Sequence, residues 1–246
     1  MSKERISKYL SRVGACSRRE AERLIEQGYV TVNGAVITTP VTFVDDTDMI
    51  TLRGEELAKK SDNPCRVWCY YKPVGLVTTH HDPEGRPTVF ESLPKHMPRV
   101  ISVGRLDLNS EGLLLLTNDG AFARMAEHPK TGWTRVYKVR VFGLFQKNMF
   151  DPLKTGVTVE GVHYKGVAID ILSDIIESKS PRNFWLKMTL TEGKNREIRR
   201  LMSHIGLDVN RLIRLSYGPF ELGDLALGAV KECSQQKINA PVFPPI

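Results

Sequence analysis

The sequence predicts an α+β protein in which a small N-terminal unit precedes a larger unit rich in strands. Two segments with helical periodicity precede a hairpin signal at Asn33-Gly34 within the first sixty residues. Beyond residue 66 most segments are rich in β-branched and aromatic residues, with few helical stripes between them. The polar stretch between the two parts has no apolar periodicity. We therefore expect domains at residues 1–58 and 67–246, joined by a linker at 59–66.

Composition and charge limit the classes of function. The chain has 41% hydrophobic and 26% charged residues, which is typical of a soluble protein. Its net charge of +7 favours a polyanionic partner, although a modest positive charge can also serve solubility alone. The N-terminus lacks a signal-peptide pattern, and no apolar run is long enough to span a bilayer. We expect a cytoplasmic protein without membrane contact.

The four cysteines are few and scattered, which suits a reducing compartment. Cys65 and Cys69 have no second pair at zinc-site spacing. His80-His81-Asp82 combines possible metal ligands, but adjacent residues point apart and nothing completes the set. No metal site is predicted.

Two basic helices are expected at the start of the chain. An apolar stripe predicts the first over residues 3–13. Ser17 and Glu20 have capping-box spacing, so the second should run from Ser17 to Gly28. Strands are expected at 29–32, 35–38 and 49–52. The two helices and their flanks carry basic residues that could lie along a phosphate backbone or simply be solvated. These residues are Lys3, Arg5, Lys8, Arg12, Arg18, Arg19 and Arg23.

The larger unit begins with a β-rich run at 67–71. Further strands are predicted at 75–79, 100–103, 113–116, 133–142, 167–172, 184–190 and 209–216. Helices are predicted at 88–93, from Asp119 to His128, and within 192–206. The tail is rich in proline and has no predicted role.

The stretch GRLDLNSEGLLLLTNDG at 104–120 places Asp107 in a polar loop that leads into a buried strand of four leucines. Asp107 can be an ordinary loop aspartate. In an extended segment, Tyr137 would lie among apolar neighbours and its hydroxyl would need a partner. Arg199 lies at the edge of a helical apolar stripe, where it either snorkels or faces a carboxylate.

Taken together, these motifs resemble a known family. The pattern ERISKYLSRVGACSRREAERLIEQGYVTVNG resembles the S4-type RNA-binding domain. YYKPVGLVTT, GRLDLNSEGLLLLTNDG, RVYKVRVFG and LTEGKNREIRRLMSHIGLDVNRLIRLSYGPFELG resemble a group of ribosomal RNA pseudouridine synthases, namely type A (small ribosomal subunit) and types B, E and F (large ribosomal subunit). The likeness is greatest to type B, and the resemblance covers nearly the whole chain.

The resemblance implies an enzyme that isomerises uridine to pseudouridine in RNA without a cofactor or metal. It implies a central mixed, largely antiparallel sheet with flanking helices, crossed by the active-site cleft. Asp107 would be the nucleophile, Tyr137 would pack on the target base and Arg199 would be the basic partner of the aspartate. Arg105 would help to hold the nucleotide. Lys72 matches a motif taken as mainly structural, and we group it with Arg196 and Arg200 as expected substrate-binding residues.

This chemistry agrees with the residue types, because the reaction needs a nucleophile and a base, and an arginine beside a carboxylate keeps it ionised. The expected partner is ribosomal RNA, most of all large-subunit RNA, and the expected state is a monomer. Three alternatives stay open. The chain could be a non-catalytic ribosome-assembly factor, it could act on small-subunit ribosomal RNA or another RNA, or its N-terminal unit could be only a structural cap.

Overall fold

The computed structural model describes residues 3–57, 64–172 and 183–239. The chain divides after Cys65 into two compact units, and the first also includes Pro98–Val100 and Asn118–Gly120. The predicted linker falls mostly outside the described residues, as does the end of the tail. None of the helices described is long and apolar enough to cross a membrane.

The first unit contains both predicted helices, α1 (Ile6–Arg12) and α2 (Arg18–Glu26). The Ser17 hydroxyl caps α2 by accepting a hydrogen bond from the Glu20 backbone N–H at 3.1 Å. The apolar faces of the two helices pack on the small sheet around one core, whose buried members are Ile6, Tyr9, Leu10, Ala21, Leu24, Ile25, Val30, Val44 and Ile50.

Six short strands complete the described part of the first unit. They are β1 (Glu4–Arg5), β2 (Val30–Val32), β3 (Ala35–Ile37), β4 (Phe43–Val44), β5 (Ile50–Leu52) and β6 (Glu55–Glu56). The hairpin between β2 and β3 forms as predicted, since Asn33 and Gly34 both adopt positive φ, at 51° and 84°. The antiparallel pair of β1 with β4 was not predicted, because two residues are too few to show a periodic pattern.

In the second unit the strands are β7 (Val67–Lys72), β8 (Ile101–Val103), β9 (Glu111–Thr117), β10 (Arg135–Phe142), β11 (Val157–Val159), β12 (Val162–Tyr164), β13 (Ala168–Ile171), β14 (Asn183–Leu190), β15 (Asp208–Tyr217), β16 (Phe220–Glu221) and β17 (Val230–Glu232). Among the described residues, nine of them form one sheet in the order β13-β14-β10-β15-β9-β7-β17, with β8 on β9 and β16 on β15. Only the β9–β15 pair is parallel within this described sheet. The predicted α+β fold with a mixed, largely antiparallel sheet is confirmed.

The helices of the second unit are α3 (Gly120–Glu127), α4 (Asp151–Lys154), α5 (Glu197–His204) and α6 (Gln235–Ile238), with a 3-10 turn at Pro129–Thr131. The predicted stripe of α5 is buried, and Ile198, Leu201 and Met202 pack into the core beneath β10 and β14. Glycine at 206 follows the helix in the left-handed region, with φ 77°. Neither α4 nor the β11–β12 hairpin was predicted.

Two predicted elements in the second unit are wrong. Residues 75–79 do not form a strand, because Gly75 lies in a turn with φ 86° and Val77 makes only a single bridge, to Thr88. Residues 88–93 form turns instead of a helix. Thr88 and Glu91 exchange side-chain and backbone hydrogen bonds like a capping box, but the helical pattern stops after one turn at Pro94.

The tail adds an unpredicted edge strand to the sheet. Strand β17 pairs antiparallel with β7, which places Lys231 opposite Cys69. The thiol of Cys233 lies 3.2 Å from that of Cys69. A pair of cysteines 164 positions apart therefore meets at the sheet edge, which spacing along the chain could not indicate.

Candidate functional site

One row of cross-strand neighbours organises the site. Tyr137 on β10 lies opposite Arg214 on β15, and Arg214 lies opposite Gly112 on β9. Gly112 in turn faces Lys72 on β7. Directly opposed residues project to the same face of a sheet. The side chains of Tyr137 and Arg214 therefore leave the sheet side by side.

Gly112 is required by the close approach of β15. Its φ is 106°, and an added Cβ would lie 2.5 Å from the Arg214 backbone nitrogen and closer still to the Arg214 carbonyl oxygen. Any larger residue would push β9 and β15 apart at the point where the parallel pair forms. The close approach of the two strands therefore explains why this position is a glycine.

Asp107 lies in the tight connection between β8 and β9. The turn closes through a hydrogen bond from the Ser110 backbone N–H to the Asp107 carbonyl oxygen at 3.0 Å. Just before it, Thr78 donates from its hydroxyl to the Leu106 carbonyl oxygen at 2.8 Å. The Asp107 side chain is half-buried, whereas Leu106 beside it is buried. The carboxylate is therefore presented from a fixed backbone.

Lys72 holds this turn from beneath. It is fully buried, and its ammonium donates to the carbonyl oxygens of Pro73 at 2.9 Å, Asp107 at 3.2 Å and Ser110 at 2.9 Å. Burial lowers the pKa of Lys72 to about 8, while the carboxylates of Asp107 and Glu111 oppose that shift. All three donors of the ammonium are used, so Lys72 fixes the turn that carries Asp107.

Arg199 holds the same turn from the side of α5. Its Nη2 donates to the Asn109 carbonyl oxygen at 2.8 Å, and its Nη1 donates to the Val209 carbonyl oxygen at 3.0 Å. Burial and then Arg196 lower the pKa of Arg199, and Asp107 raises it. Among the described residues Asp107 forms no ion pair within 4.0 Å. The structure brings Arg199 to the turn that carries Asp107, but its contact is with the backbone and not with the carboxylate.

A cleft of about 710 Å³ opens above this row. Its walls include Asp107, Tyr137 and Arg214, together with Arg105 at an exposed position and the exposed Arg196. Such a volume falls within the range of about 300–1,000 Å³ that is usual for small-molecule sites. Three predicted site residues, Asp107, Tyr137 and Arg105, thus share one cavity, together with the predicted substrate-binding residue Arg196.

Tyr137 is half-buried between the core and the cleft. Its apolar neighbours on the same strand, Val139 and Val141, are fully buried, and Tyr137 packs against that core. A register shift between Val136 and Tyr137 lies on the side that faces β15. Such a register shift is typical of a β-bulge, and bulges next to active sites change the direction of a side chain. Tyr137 therefore presents its ring at the cleft wall from a rigid strand.

Two carboxyl groups meet at the entrance to α5. Burial raises the pKa of Glu197 to about 7, with a further contribution from Glu192, and the Lys194 backbone N–H opposes the shift by donating to Glu197 at 2.9 Å. The pKa of Glu192 is lowered against the effect of its own burial, first by the Lys165 backbone N–H and then by Lys194. Glu197 is thus the member of the pair that binds its proton more tightly.

Two predicted substrate-binding residues lie elsewhere. Lys72 is fully buried with its donors occupied, so the prediction that it contacts substrate is wrong. Arg200 does not line the cleft, and its Nη1 lies 3.5 Å from the Tyr164 hydroxyl. Helical rotation places it about 100° from Arg199, toward the β11–β12 hairpin that the sequence did not predict.

The basic residues of the first unit differ in their partners. Lys3, Arg5, Arg18 and Arg19 are exposed, and no ion pair is described for them. Glu4 pairs with Lys8 at 2.9 Å and with Arg12 at 2.6 Å, while Glu20 pairs with Arg23 at 2.6 Å. The carboxylates therefore offset part of the predicted positive surface, and the α2 cations without a described ion pair lie at its N-terminal end.

Sequence reasoning missed Arg214 and the Glu192–Glu197 pair. Arg214 stands between Ile213 and Leu215 in an apolar strand, and a cation flanked in this way was the available signal. The carboxyl pair had no such signal, because its five-residue spacing crosses a turn whose geometry depends on Arg196 at φ 52°.

Comparison with known proteins agrees with the fold. The profile of the RNA pseudouridylate synthase family matches residues 66–204, and that of the S4 domain matches residues 4–50. The chain belongs to the RNA pseudouridylate synthase family. It is an RNA pseudouridine synthase with an N-terminal S4 domain, and its partner is RNA.

Individual relatives place the chain within that family. An uncharacterized RNA pseudouridine synthase of Rickettsia felis is 47% identical over 95% of this chain and 98% of its own length. Ribosomal large subunit pseudouridine synthase B of Yersinia pestis is 44% identical over 89% of this chain and 69% of its own length. A crystal structure of a pseudouridylate synthase has the same fold, with a TM-score of 0.66 and 24% identity over 95% of this chain and 97% of that one.

Proposed function

We propose that this enzyme converts a specific uridine of large-subunit ribosomal RNA to pseudouridine, with Asp107 as the nucleophile. The names of relatives such as the Yersinia pestis synthase B support the substrate. The observation that carries the catalytic assignment is the anchoring of the Asp107 turn, whose carbonyl oxygens are bound by Lys72 and Arg199 while Asp107 itself lines the cleft.

The reaction exchanges one bond of the base for another. The N1–C1′ bond breaks, the base turns, C5 bonds to C1′, C5 loses its proton and N1 gains one. Asp107 starts the sequence by adding either to C1′ or to C6 of the uracil, and it is released when the new bond has formed. Tyr137 packs on the ring and keeps it in the cleft while it is detached.

The nucleotide has to leave its stack to reach the cleft, at a cost of a few kcal/mol. Arg105 and Arg196 are exposed at the cleft and supply cations near the flipped nucleotide. The exposed Arg18 and Arg19 of α2 contact the phosphate backbone of the same RNA. The contacts of these four arginines with the RNA offset the cost of flipping the nucleotide.

We also propose that the enzyme is active as a monomer. Light scattering of the free enzyme is expected to give a mass near 27.7 kDa. Activity that rises with the square of enzyme concentration would contradict this.

The test is pseudouridine mapping of both ribosomal RNAs from cells with and without the gene, complemented by wild type, Asp107→Asn or Asp170→Asn. Asp170 is an exposed carboxylate on edge strand β13 and serves as the matched control. One large-subunit position is expected to lose its modification without the gene, and wild type and Asp170→Asn should restore it. Loss of a small-subunit position instead would redirect the substrate, and restoration by Asp107→Asn would remove that residue from its role.

A further inference from the structure

Arg214 is a buried cation in the cleft that the proposed reaction has not used. It is only 3% exposed, and its Nε donates to the Leu113 carbonyl oxygen at 2.7 Å. Its Nη2 is buried and has no hydrogen-bond partner among the described residues. The side chain nevertheless lines the same cleft as Asp107 and Tyr137.

The orientation of this guanidinium is determined by its neighbours. The bond to Leu113 holds one edge, and the Arg214 Cζ lies 5.1 Å from the centroid of the Tyr217 ring. Tyr217 is itself fixed, because its hydroxyl donates to the Ala126 carbonyl oxygen at 3.0 Å and accepts from Arg135 at 2.8 Å. Arg214 is therefore preorganised before any ligand enters.

An unsatisfied buried donor destabilises the folded state, and more so when it is charged. Within the described residues Arg214 has no carboxylate partner that would offset this cost. Such a group is explained when a ligand brings the acceptor. Tyr137, which is proposed to pack on the base, lies directly opposite Arg214 across the strand pair, so the base it packs on would lie beside the Arg214 guanidinium.

We propose that the Arg214 guanidinium donates to a ring carbonyl oxygen of the flipped uracil and stabilises the negative charge that the ring acquires during the reaction. This proposal rests on the function proposed above. Addition of Asp107 to C1′ forms an O–C1′ bond and breaks N1–C1′, so the electron pair passes to the uracil and spreads onto its carbonyl oxygens. Addition to C6 forms an O–C6 bond and places the electron pair in an enolate that includes a carbonyl oxygen.

A donor at a ring oxygen thus serves either route. It interacts more strongly with the anionic ring than with the neutral substrate, so its effect falls on the rate of the chemical step more than on binding. Arg214 would then be a catalytic residue in direct contact with the base, whereas Lys72 and Arg199 act on the backbone of the nucleophile loop.

The test compares single-turnover rates of Arg214→Met and Arg214→Lys with that of Arg140→Met, using saturating enzyme and an RNA that the wild type modifies. Arg140 is exposed on β10 and lies outside the cleft, so it is the matched control. We expect Arg214→Met to be at least about 100-fold slower than the control, with RNA affinity within about threefold of wild type. Arg214→Lys keeps the charge and should be slowed less.

A folded Arg214→Met enzyme with a rate within threefold of the control would overturn the proposal. So would a parallel loss of melting temperature, RNA affinity and rate, since that pattern marks a structural role. If Arg214→Met does not fold, Arg214→Lys decides, and its full activity would also overturn the proposal. Asp107→Asn in the same assay separates the two proposals, because its activity would refute the nucleophile whatever the Arg214 variants do.

Discussion

Arg199 donates to the carbonyl oxygen of Asn109 at 2.8 Å, so the arginine of α5 is attached to the turn that carries Asp107 and not to the carboxylate itself. The same guanidinium reaches the Val209 carbonyl oxygen at the start of β15. It therefore joins three parts of the second unit at one point. A role in positioning the loop follows from this geometry.

Replacement of Arg199 by lysine should misplace the loop. A single ammonium on a flexible stem cannot span two carbonyl oxygens on separate segments as the planar guanidinium does. We expect kcat to fall about 100-fold, as for a displacement near 1 Å, while KM changes little. Steady-state kinetics measure both values, and a rise in KM with unchanged kcat would assign Arg199 to substrate binding instead.

Arg200→Met is the companion measurement on the same helix. Arg200 contacts the Tyr164 hydroxyl and does not line the cleft. We expect kcat and KM to stay within about threefold of wild type, since surface substitutions are usually mild. A large rise in KM would reinstate Arg200 as a substrate-binding residue.

Lys72→Met should damage both stability and activity. The substitution leaves the carbonyl oxygens of Pro73, Asp107 and Ser110 without their buried donor. Removal of such a group costs about 3 kcal/mol of the free energy of unfolding, and the freed turn should slow the reaction. Urea denaturation at pH 7 measures the first effect, and unchanged stability would show that the turn does not need the lysine.

The effect of Lys72 also depends on pH with a definite sign. Its pKa is lowered from 10.5 to about 8 in the folded state. Between those values the unfolded state binds more protons, so the free energy of unfolding of the wild type should rise with pH relative to Lys72→Met. Denaturation at pH 8 and pH 10 tests this, and a stability difference that shrinks with pH would contradict the lowered pKa of Lys72.

Gly112→Ala should be the more harmful of two alanine substitutions at positive φ. An alanine Cβ would collide with the backbone of Arg214, and the φ of 106° is itself unfavourable. We expect a loss of at least about 3 kcal/mol from strain and overpacking together. Gly228→Ala is the control, because φ is 77° there and nothing lies within 4 Å of the added Cβ. Thermal melting measures the loss of stability in both variants. Equal losses would show that the collision with the Arg214 backbone adds nothing.

Glu197→Gln should make stability less dependent on pH. The pKa of Glu197 is raised from 4.5 to about 7, so the folded state binds more protons between these values. Wild-type stability should therefore fall as pH rises through this window, and the neutral glutamine avoids that loss, on the order of a few kcal/mol. Denaturation at pH 5 and pH 7 should show the variant gaining on wild type, and a parallel pH profile for both would exclude a raised pKa.

The cations of α2 should differ in their effect on RNA affinity. Arg18 and Arg19 are exposed without a described ion pair, whereas Arg23 pairs with Glu20 at 2.6 Å. The double variant Arg18→Ala, Arg19→Ala should bind long RNA more weakly and reduce the slope of log K against log salt by about 0.7–0.9 for each phosphate that the protein no longer neutralises. Arg23→Ala should change the slope less. Equal slopes for wild type and the double variant would make the first unit a structural cap.

Local patterns in the sequence predicted most helices and strands. The stripe of α5, the hairpin at Asn33-Gly34 and the leucine strand depend on neighbours within a few residues, and each forms where expected. The errors at 75–79 and 88–93 arose where glycine begins the first stretch and proline follows the second, so that turn geometry overrode propensity. Edge strand β17 was missed because its stability comes from pairing with β7.

The sequence by itself determined the family, the α+β class and the loop that presents Asp107, because these are written in contiguous motifs. Only the tertiary structure decided that Lys72 and Arg199 hold that loop by its carbonyl oxygens, that Arg200 turns to Tyr164, and that Arg214 enters the cleft with a donor that no described residue satisfies. The physical reason is that these contacts join residues up to about a hundred positions apart. They depend on which strands pair and in which register, and the pattern along one segment carries no information about either.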